Sequence, residues 1–317
     1  MRVIVTGAAG FIGQTLVRHL LREGLAGKRV NHLLAVDLAF PGANSDERVQ
    51  QATGSIAEAG FCDSIVSEPT DVVFHLASVP GGAAERDYVL GRSVNLDATL
   101  RLLEALGRNS QQPRFVYASS VAVYGEKMPA VLDELTPAAP AMSYGAHKLM
   151  CEIVLTDASR RGWVQGCGLR LPGVVARPGD GAGLMSAFMS QIFWRLRDGA
   201  QITVPVTRNA TAWWISAARC AANLAHAAVV PVETLNQQRI FQMPALTATV
   251  GDVVDAICKQ VERKNAGLVT YEPNELIQRL FGGYPPLVTP TARDAGFQHD
   301  GDLRLLVERC FASMQTK

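Results

Sequence analysis

Tyr144 and Lys148 stand four positions apart in the segment Tyr-Gly-Ala-His-Lys. Residues four apart share one face of a helix, so the phenol and the ammonium can lie side by side. A neighbouring ammonium favours the ionised form of a phenol, and a phenolate can accept a proton from a substrate hydroxyl. The spacing therefore predicts a pair that exchanges a proton with an alcohol or ketone while the lysine also reaches a cofactor ribose.

Two serines, Ser119 and Ser120, end the apolar segment that begins at Arg114. Such a segment is typical of a buried parallel strand. Ligands of doubly wound sheets bind at the carboxyl ends of the strands. A serine at this position is therefore predicted to orient the reacting oxygen beside Tyr144 and Lys148.

A glycine-rich turn follows the first apolar segment, Val3–Thr6. Gly7 permits a tight turn, Gly10 lets the backbone approach a pyrophosphate, and Gly13 allows the next helix to pack closely on a sheet. The first turn of that helix, at Phe11–Ile12, would offer N–H groups and a positive dipole end to the phosphates. The spacing predicts a dinucleotide-binding turn.

Asp37 ends the second predicted strand, His32–Asp37, about two dozen residues beyond the glycines. A carboxylate at this point accepts hydrogen bonds from the hydroxyls of the adenosine ribose and repels a 2′-phosphate. No arginine directly follows Asp37, where an NADP-selective pocket often places one. The predicted cofactor is therefore NAD rather than NADP.

These residues need a scaffold in which buried strands alternate with amphipathic helices. The predicted strands are Val3–Thr6, His32–Asp37, Val72–Leu76, Arg114–Ala118 and Gly166–Leu171. The pattern predicts an α/β protein with a doubly wound parallel Rossmann sheet. We expect an NAD-binding domain over 1–171 and a smaller C-terminal substrate-binding region over 172–317. Some segments of the second region are candidates for returning to the sheet, and a helix is expected near Leu184–Asp198.

The composition excludes several classes of partner. Lys and Arg number 30 and Asp and Glu number 29, so no basic field is available for a nucleic acid or an anionic membrane. No apolar run approaches the roughly 18 residues of a membrane span, and no secretory signal is present. The six cysteines contain no Cys-x-x-Cys pair, and the histidines lack ligand spacing. We therefore expect a soluble, cytoplasmic protein with reduced thiols and no structural metal.

Together these motifs resemble the extended short-chain dehydrogenases/reductases, the NAD-dependent epimerase/dehydratase family. The segments that carry the resemblance are TGAAGFIG from Thr6, HLAS at His75–Ser78, Asn95 with Ala98-Thr99, SSVAVYG at Ser119–Gly125, and YGAHK at Tyr144–Lys148. The five segments follow the family's order, and the resemblance covers essentially the first 175 residues. The resemblance implies that Ser120 is the catalytic serine, with Ser119 beside it.

The same resemblance implies further contacts with NAD. Leu76 and Ala77 resemble the strand end that lines the cofactor. Asn95 resembles the asparagine that supports the cofactor site. Pro172 resembles the turn that faces the nicotinamide.

Most members of this family act on nucleotide sugars, but the second half of this chain lacks their Val-x-Asp-Asp helix start. Val121-Ala122 also lacks the acid pair of the dehydratases. The segments from Ser143, Ser159, Gly168 and Ala176 resemble the branch that includes D-erythronate dehydrogenase. That branch implies NAD-dependent oxidation of the C2 hydroxyl of a small sugar acid to the 2-keto acid, with Tyr144 as the general base.

A sugar-acid substrate needs a cation for its carboxylate, and the fork of an arginine suits it well. Arg177 and Arg208 are the candidates, with Ser78 and Ser143 as polar neighbours. Each arginine could equally serve in a surface or interdomain ion pair.

Two other functions remain open at this point. The runner-up is a nucleotide-sugar 4-epimerase or a related NAD-dependent enzyme. The third is a dinucleotide-sensing regulator without catalysis, which has no need to retain Ser120, Tyr144 and Lys148. The Leu-rich helix at Leu96–Leu106 is interpreted either as core or as the surface of a homodimer.

Overall fold

The computed structural model describes residues 1–109, 111–179, 184–235, 237, 239–262 and 267–315. Two compact units share the chain. The first unit comprises residues 1–123, 140–170 and 221–242, and the second comprises residues 124–139, 171–220 and 243–317. The units therefore interleave along the sequence, while the prediction placed a boundary after residue 171 and left later segments as candidates for returning to the sheet.

The described residues form the following strands and α-helices. The strands are β1 (Arg2–Thr6), β2 (His32–Asp37), β3 (Val49–Thr53), β4 (Val72–His75), β5 (Arg114–Ser120), β6 (Gln165–Leu171), β7 (Gly173–Val175), β8 (Ile202–Val204), β9 (Thr211–Ser216), β10 (Ile240–Gln242), β11 (Leu246–Thr249) and β12 (Val269–Tyr271). The helices are α1 (Phe11–Glu23), α2 (Ala59–Ile65), α3 (Gly81–Arg86), α4 (Tyr88–Arg92), α5 (Ala98–Arg108), α6 (Ser143–Arg160), α7 (Ala187–Asp198), α8 (Ala217–Ala227), α9 (Val250–Gln260), α10 (Glu275–Phe281), α11 (Pro290–Asp294) and α12 (Leu303–Gln315).

The first unit is built on a seven-stranded parallel sheet in the order β10-β6-β5-β4-β1-β2-β3. From β1 the chain builds outwards through β2 and β3, then returns to the other side of β1 to place β4. The direction of winding thus reverses between β1 and β4, and ligands of such sheets bind outside the strand ends at this switch point. The structure confirms the predicted doubly wound Rossmann fold.

Burial explains why these strands are apolar almost throughout. Val3, Ile4 and Val5 of β1 are fully buried, as is the central part of β5. The helix α5 packs Leu102 and Leu103 into the same core. All six cysteines are buried and free, so none forms a disulfide.

The second unit has two small sheets, one in the order β11-β9-β7 and one that pairs β12 with β8. Its core contains side chains from α7, α9 and α12 and the fully buried Trp214. The neighbouring Trp213 is also fully buried, and its ring nitrogen donates to the carbonyl of Pro285 at 2.7 Å. In the described part of the chain, no helix combines the length and the apolar composition needed to cross a membrane.

Candidate active site

The glycine turn lies at the switch point of the sheet, between β1 and α1. Gly7 adopts a positive φ of 71°, and a Cβ at this position would lie 2.7 Å from the amide nitrogen of Ala77. A Cβ on Gly13 would lie 2.0 Å from the carbonyl oxygen of Gly7. Gly10 provides no side-chain cap for α1, and the first turn of that helix contains no acidic residue. A close backbone and an uncapped helix start are what a dinucleotide pyrophosphate requires.

Asp37 is joined to the glycine turn as well as ending β2. Its Oδ2 accepts a hydrogen bond from the amide of Ala9 at 2.8 Å, and its Oδ1 accepts one from Leu38 at 2.7 Å. An ionised carboxylate has about four lone-pair sites, so ribose hydroxyls can be accepted in addition. The residues present therefore fit the adenosine half of NAD.

A buried chain of hydrogen bonds behind the turn was not anticipated from the sequence. Nδ1 of His75 lies 2.7 Å from the hydroxyl of Thr6, and Nε2 lies 2.9 Å from the hydroxyl of Thr99. Thr99 donates its own proton to the carbonyl of Asn95, so Nε2 of His75 must be the donor and Nδ1 the acceptor. Burial, assisted by the charge of Lys148, lowers the pKa of His75 to about 3 and keeps the ring neutral.

Asn95 lies in a π-helical turn over Ser93–Asp97 and is buried. Its side chain accepts a hydrogen bond from the amide of Val79 at 2.7 Å and donates to the carbonyl of the same residue at 3.0 Å. These two bonds fix the segment after β4, to which Leu76, Ala77 and the half-buried Ser78 belong. Asn95 therefore holds the backbone of the segment that follows β4.

Tyr144 and Lys148 are brought together on the first turns of α6. Nζ of Lys148 lies 5.6 Å from the centre of the Tyr144 ring and donates a hydrogen bond to the carbonyl of Ala118 at 2.7 Å. The same ammonium lies 4.9 Å from the ring centre of Tyr117. Lys148 is buried and Tyr144 is half-buried, so the phenol is the more accessible of the two. This arrangement can hold a positive charge next to a proton-accepting oxygen.

Gly145 allows α6 to start close to the end of β5. A Cβ on this residue would lie 2.2 Å from the carbonyl oxygen of Ala122. The half-buried Ser143 begins the helix, and its amide donates to Glu85 at 2.9 Å. A backbone contact that only glycine permits therefore sets the distance between the Tyr144 helix and the serine strand.

The two serines at the end of β5 have different surroundings. The hydroxyl of Ser120 accepts a hydrogen bond from the amide of Ala122 at 3.1 Å and is partly exposed. The hydroxyl of Ser119 is buried and donates to Oε1 of Glu152 at 2.5 Å. Glu152 is in turn bound by Arg170 of β6. Ser120 is thus the more accessible of the two serines, while Ser119 donates to a carboxylate of the protein.

The remaining predicted site residues belong to the second unit. Pro172 is buried directly after β6. The amide of Arg177 donates to the hydroxyl of Ser190 at 2.9 Å, and the indole nitrogen of Trp194 donates to the carbonyl of Arg177. Both contacts come from α7, so the backbone of Arg177 is held to that helix through its amide and its carbonyl.

Arg208 has a carboxylate partner within its own unit. Its guanidinium lies 2.6 Å from Oδ2 of Asp255 in a half-exposed ion pair. Hydrogen bonding to Asp255 raises the pKa of Arg208. Of the two alternatives that the sequence leaves for this arginine, the geometry favours the surface ion pair.

Glu152 and His75 are buried polar residues beside the site to which the sequence assigns no individual role, and the same holds for the half-buried Arg170. Glu152 could have been noticed because it follows Lys148 by four positions, on the face that also carries Tyr144. An acid on a helix face that packs against a buried strand needs a partner. His75 opens the HLAS segment, but nothing in that segment indicates its hydrogen-bond partners, and no comparable signal distinguishes Arg170.

Comparisons with known proteins agree with this geometry. The sequence profile of the NAD-dependent epimerase/dehydratase family matches residues 3–243. D-erythronate dehydrogenase of Cupriavidus necator is 35% identical over 306 residues, which cover 95% of this chain and 94% of that protein. D-erythronate dehydrogenase of Haemophilus influenzae is 30% identical and covers 98% of both chains.

The fold is also shared with a solved structure. A nucleoside-diphosphate-sugar epimerase from Agrobacterium tumefaciens superposes with a TM-score of 0.91 at 32% identity, covering 97% of this chain and 92% of that one. The similarity therefore extends through both units and is not limited to the Rossmann sheet.

Proposed function

The chain belongs to the NAD-dependent epimerase/dehydratase family and is an NAD-dependent oxidoreductase, and we propose that it oxidises the C2 hydroxyl of a small sugar acid such as D-erythronate. The product would be the 2-keto acid. The observation that carries the proposal is full-length similarity to two D-erythronate dehydrogenases in a chain that retains Ser120, Tyr144 and Lys148.

The proposed reaction divides its work among these three residues. Tyr144 accepts the proton of the C2 hydroxyl, and the electron pair of the C2–H bond leaves as hydride while the carbonyl forms. Lys148 stabilises the phenolate by its charge, and Ser120 donates a hydrogen bond that orients the reacting oxygen. NAD, when bound, supplies the hydride acceptor.

The residues proposed to hold NAD lie around the switch point of the sheet. They are Gly7, Gly10, Phe11, Ile12, Gly13, Asp37, Leu76, Ala77, Asn95, Tyr144, Lys148 and Pro172. The close approach at Gly7 and Gly13 and the two amides bound by Asp37 support this assignment.

For the substrate carboxylate we propose Arg177. The contacts of its backbone with Ser190 and Trp194 would limit the positions that its guanidinium reaches. Arg208 is the weaker candidate because Asp255 already provides it with a carboxylate. Ser78 and Ser143 stay the proposed polar neighbours of the substrate. Ser119, beside Ser120, is the weaker candidate for a substrate contact because its hydroxyl already donates to Glu152.

A cofactor-reduction screen tests the proposed reaction. Purified protein is given four- to six-carbon sugar acids with NAD and with NADP in parallel, and NADH formation is followed by absorbance. We expect turnover with D-erythronate or a close relative and NAD. Tyr144→Phe should lower kcat by at least about a thousandfold with unchanged folding, in line with the loss of a general base and its charge environment. No reduced cofactor with any acid would contradict the proposal.

A nucleotide-sugar 4-epimerase is the second candidate, because the solved epimerase from Agrobacterium tumefaciens shares both units with this chain. An epimerase returns the hydride to its substrate and therefore produces no net NADH. Interconversion of UDP-sugars without NADH release, together with tight binding of UDP, would favour this function over sugar-acid oxidation.

We also propose a homodimer, formed by an apolar surface on α4 and α6. Tyr88, Val89 and Leu90 of α4 and Met150 and Ile153 of α6 are exposed. The leucines of the predicted Leu96–Leu106 surface differ, since Leu102, Leu103 and Leu106 are buried in the core of their own unit. Exposed apolar patches commonly mark contacts between proteins. Sedimentation should give a dimer for the parent chain and a monomer for Val89→Glu with Ile153→Glu; a monomeric parent would contradict the assignment.

A further inference from the structure

Beneath the end of β5 lies a buried carboxylate, Glu152, that has no part in the proton transfer described above. We propose that Glu152, held by Arg170, is a positioning residue that sets the orientation of Ser120 through Ser119. The proposal deepens the proposed function and rests on it, because it assigns Ser120 to the reacting oxygen.

The contacts of Glu152 leave it little freedom. Its Oε1 accepts hydrogen bonds from the hydroxyl of Ser119 at 2.5 Å and from Nε of Arg170 at 3.0 Å. Its Oε2 accepts one from Nη2 of Arg170 at 2.8 Å. The side chain of Glu152 is 4% exposed and that of Arg170 is 11% exposed. A two-bond guanidinium–carboxylate pair fixes both distance and direction, so the acceptor offered to Ser119 is rigid.

The same helix face also holds the residue before Ser119. Lys148 precedes Glu152 by one helical turn and donates to the carbonyl of Ala118 at 2.7 Å. Ala118 and Ser119 are consecutive in β5. They are bound by Lys148 and Glu152, which lie one helical turn apart on the α6 face that carries Tyr144. The strand end and the catalytic helix are fixed to each other by these buried contacts.

Strand geometry carries this constraint to Ser120. Successive side chains of a strand point to opposite faces, so a strand end with Ser119 held on one face presents Ser120 on the other. Without the contact at Ser119, the last residues of β5 can rotate and move the Ser120 hydroxyl away from the reacting oxygen. Misplacement by about 1 Å can cost about a hundredfold in rate.

Arg170 holds Glu152 in place, and we do not assign it a contact with the substrate. It lies on β6, the neighbour of β5 in the sheet, and its carbonyl accepts a hydrogen bond from Gln242 of β10 at 3.2 Å. Removing Glu152 would leave a buried guanidinium without this partner, which is strongly unfavourable. Variants of Glu152 therefore risk misfolding, and Ser119 is the better position for a first test.

The first experiment compares Ser119→Ala with Asp157→Asn. Ser119→Ala removes the hydrogen bond from the Ser119 hydroxyl to Glu152 but leaves the Glu152–Arg170 pair in place. We expect kcat for the sugar acid to fall about 10- to 100-fold, with the KM for NAD and the thermal midpoint nearly unchanged. Asp157 lies on the same helix in an exposed pair with Arg160 and Arg161, so Asp157→Asn should leave kcat unchanged. An unaltered kcat in Ser119→Ala would overturn the proposal.

A double-mutant comparison separates positioning from general damage. Glu152→Gln keeps an oxygen acceptor for Ser119 but weakens its bond to Arg170, and kcat should again fall. If both residues act through one contact, adding Ser119→Ala to Glu152→Gln should lower kcat by less than about threefold further. Full multiplication of the two effects would contradict a shared contact.

A measurement without substrate keeps this proposal separate from the choice of reaction. Amide hydrogen exchange in residues 119–123 should be faster in Ser119→Ala than in the parent chain, while exchange in α1 and β1 stays the same. If the parent oxidises no sugar acid but this local change appears, the proposed function fails and the positioning role stands. Unchanged exchange in residues 119–123 would reject the positioning role for any substrate.

Discussion

Lys148 illustrates how single residues at this site combine two tasks. Its ammonium donates to the carbonyl of Ala118 and also lies beside the ring of Tyr144. The first contact fixes the lysine on β5, and the second places its positive charge beside the ring that we propose as the proton acceptor. Because Lys148 is buried, neither task is weakened by competition with water.

Individual residues were also the most predictable part of the site. The glycine spacing and the Tyr144–Lys148 pair can be recognised in the sequence because each motif lies within a few neighbouring residues. Asp37 can be recognised because it ends a predicted strand. The partners of His75 and Ser119 were not predictable in this way. Thr6 lies 69 positions from His75, and Glu152 lies 33 positions from Ser119, so these contacts exist only once the sheet has formed.

The charge of Asp37 should control the choice between NAD and NADP. Asp37→Asn removes the repulsion of a 2′-phosphate and keeps one oxygen, which can accept from only one of the two amides that Asp37 binds, those of Ala9 and Leu38. We expect the ratio of kcat/KM for NAD to that for NADP to fall at least about tenfold, which corresponds to ~1.4 kcal/mol. Parallel kinetics with both cofactors measure this ratio, and an unchanged ratio would mean that another residue selects the cofactor.

At the level of elements, α6 is the part of the fold that assembles the site. Its first three turns carry Tyr144, Lys148 and Glu152 on one face, and Gly145 lets that face approach the end of β5. The periodicity of long elements made them predictable, as α1 over Phe11–Glu23 and α7 over Ala187–Asp198 show.

Short or partly polar strands were missed for physical reasons. The edge strand β3 contains Gln50 and Gln51 and is only half-buried, so it lacks the apolar run of a central strand. The strand β10 has three residues and is recognisable only by its pairing with β6. Such segments become strands because their backbone groups form hydrogen bonds with a neighbouring strand. The local sequence pattern carries no information about that pairing.

Two glycines in helices provide a matched test of the close approach by α6. Gly145→Ala would place a methyl group 2.2 Å from a backbone oxygen, whereas the exposed Gly60 of α2 has open space around it. We expect Gly145→Ala to lower both kcat and the free energy of unfolding, the latter by about 1–3 kcal/mol. Gly60→Ala should leave kcat unchanged and raise stability by no more than about 1 kcal/mol. Denaturant unfolding and steady-state kinetics provide both quantities, and equal behaviour of the two variants would contradict the close approach.

On the scale of the whole molecule, the chain is folded as two interleaved units. The doubly wound sheet followed from the alternation of strands and helices, and the structure confirms it. The predicted boundary at residue 171 left later segments as candidates for returning to the sheet; in the structure residues 221–242 belong to the first unit and residues 124–139 to the second. A boundary estimated from composition marks where the composition of the sequence changes. A compact unit can also include segments from beyond that boundary.

Global stability should depend on pH through His75. Its pKa is lowered to about 3 in the folded chain, while an unfolded histidine titrates near 6.5. Between these values the unfolded chain binds a proton that the folded chain excludes, so stability is present above pH 6.5 and is lost as the pH falls towards 3. This single group should lower the free energy of unfolding by about 2 kcal/mol from pH 7 to pH 5.

Urea unfolding of His75→Gln at pH 7 and pH 5 isolates this contribution. The variant should show a pH difference about 2 kcal/mol smaller than that of the parent chain. His19→Gln is the control, because His19 is only half-buried and its pKa is lowered less completely by the same cause. The same pH difference in His75→Gln and the parent would show that His75 titrates normally in the folded chain.

The most direct test of the central claim is the fate of the hydrogen at C2 of the sugar acid. D-erythronate carrying deuterium at C2 is oxidised with NAD, and the reduced cofactor is analysed by mass spectrometry. We expect one deuterium in each NADH and a 2-keto acid product, with the signal lost in Tyr144→Phe. Unlabelled NADH, or deuterium retained in a recovered epimer without any NADH, would contradict oxidation at C2.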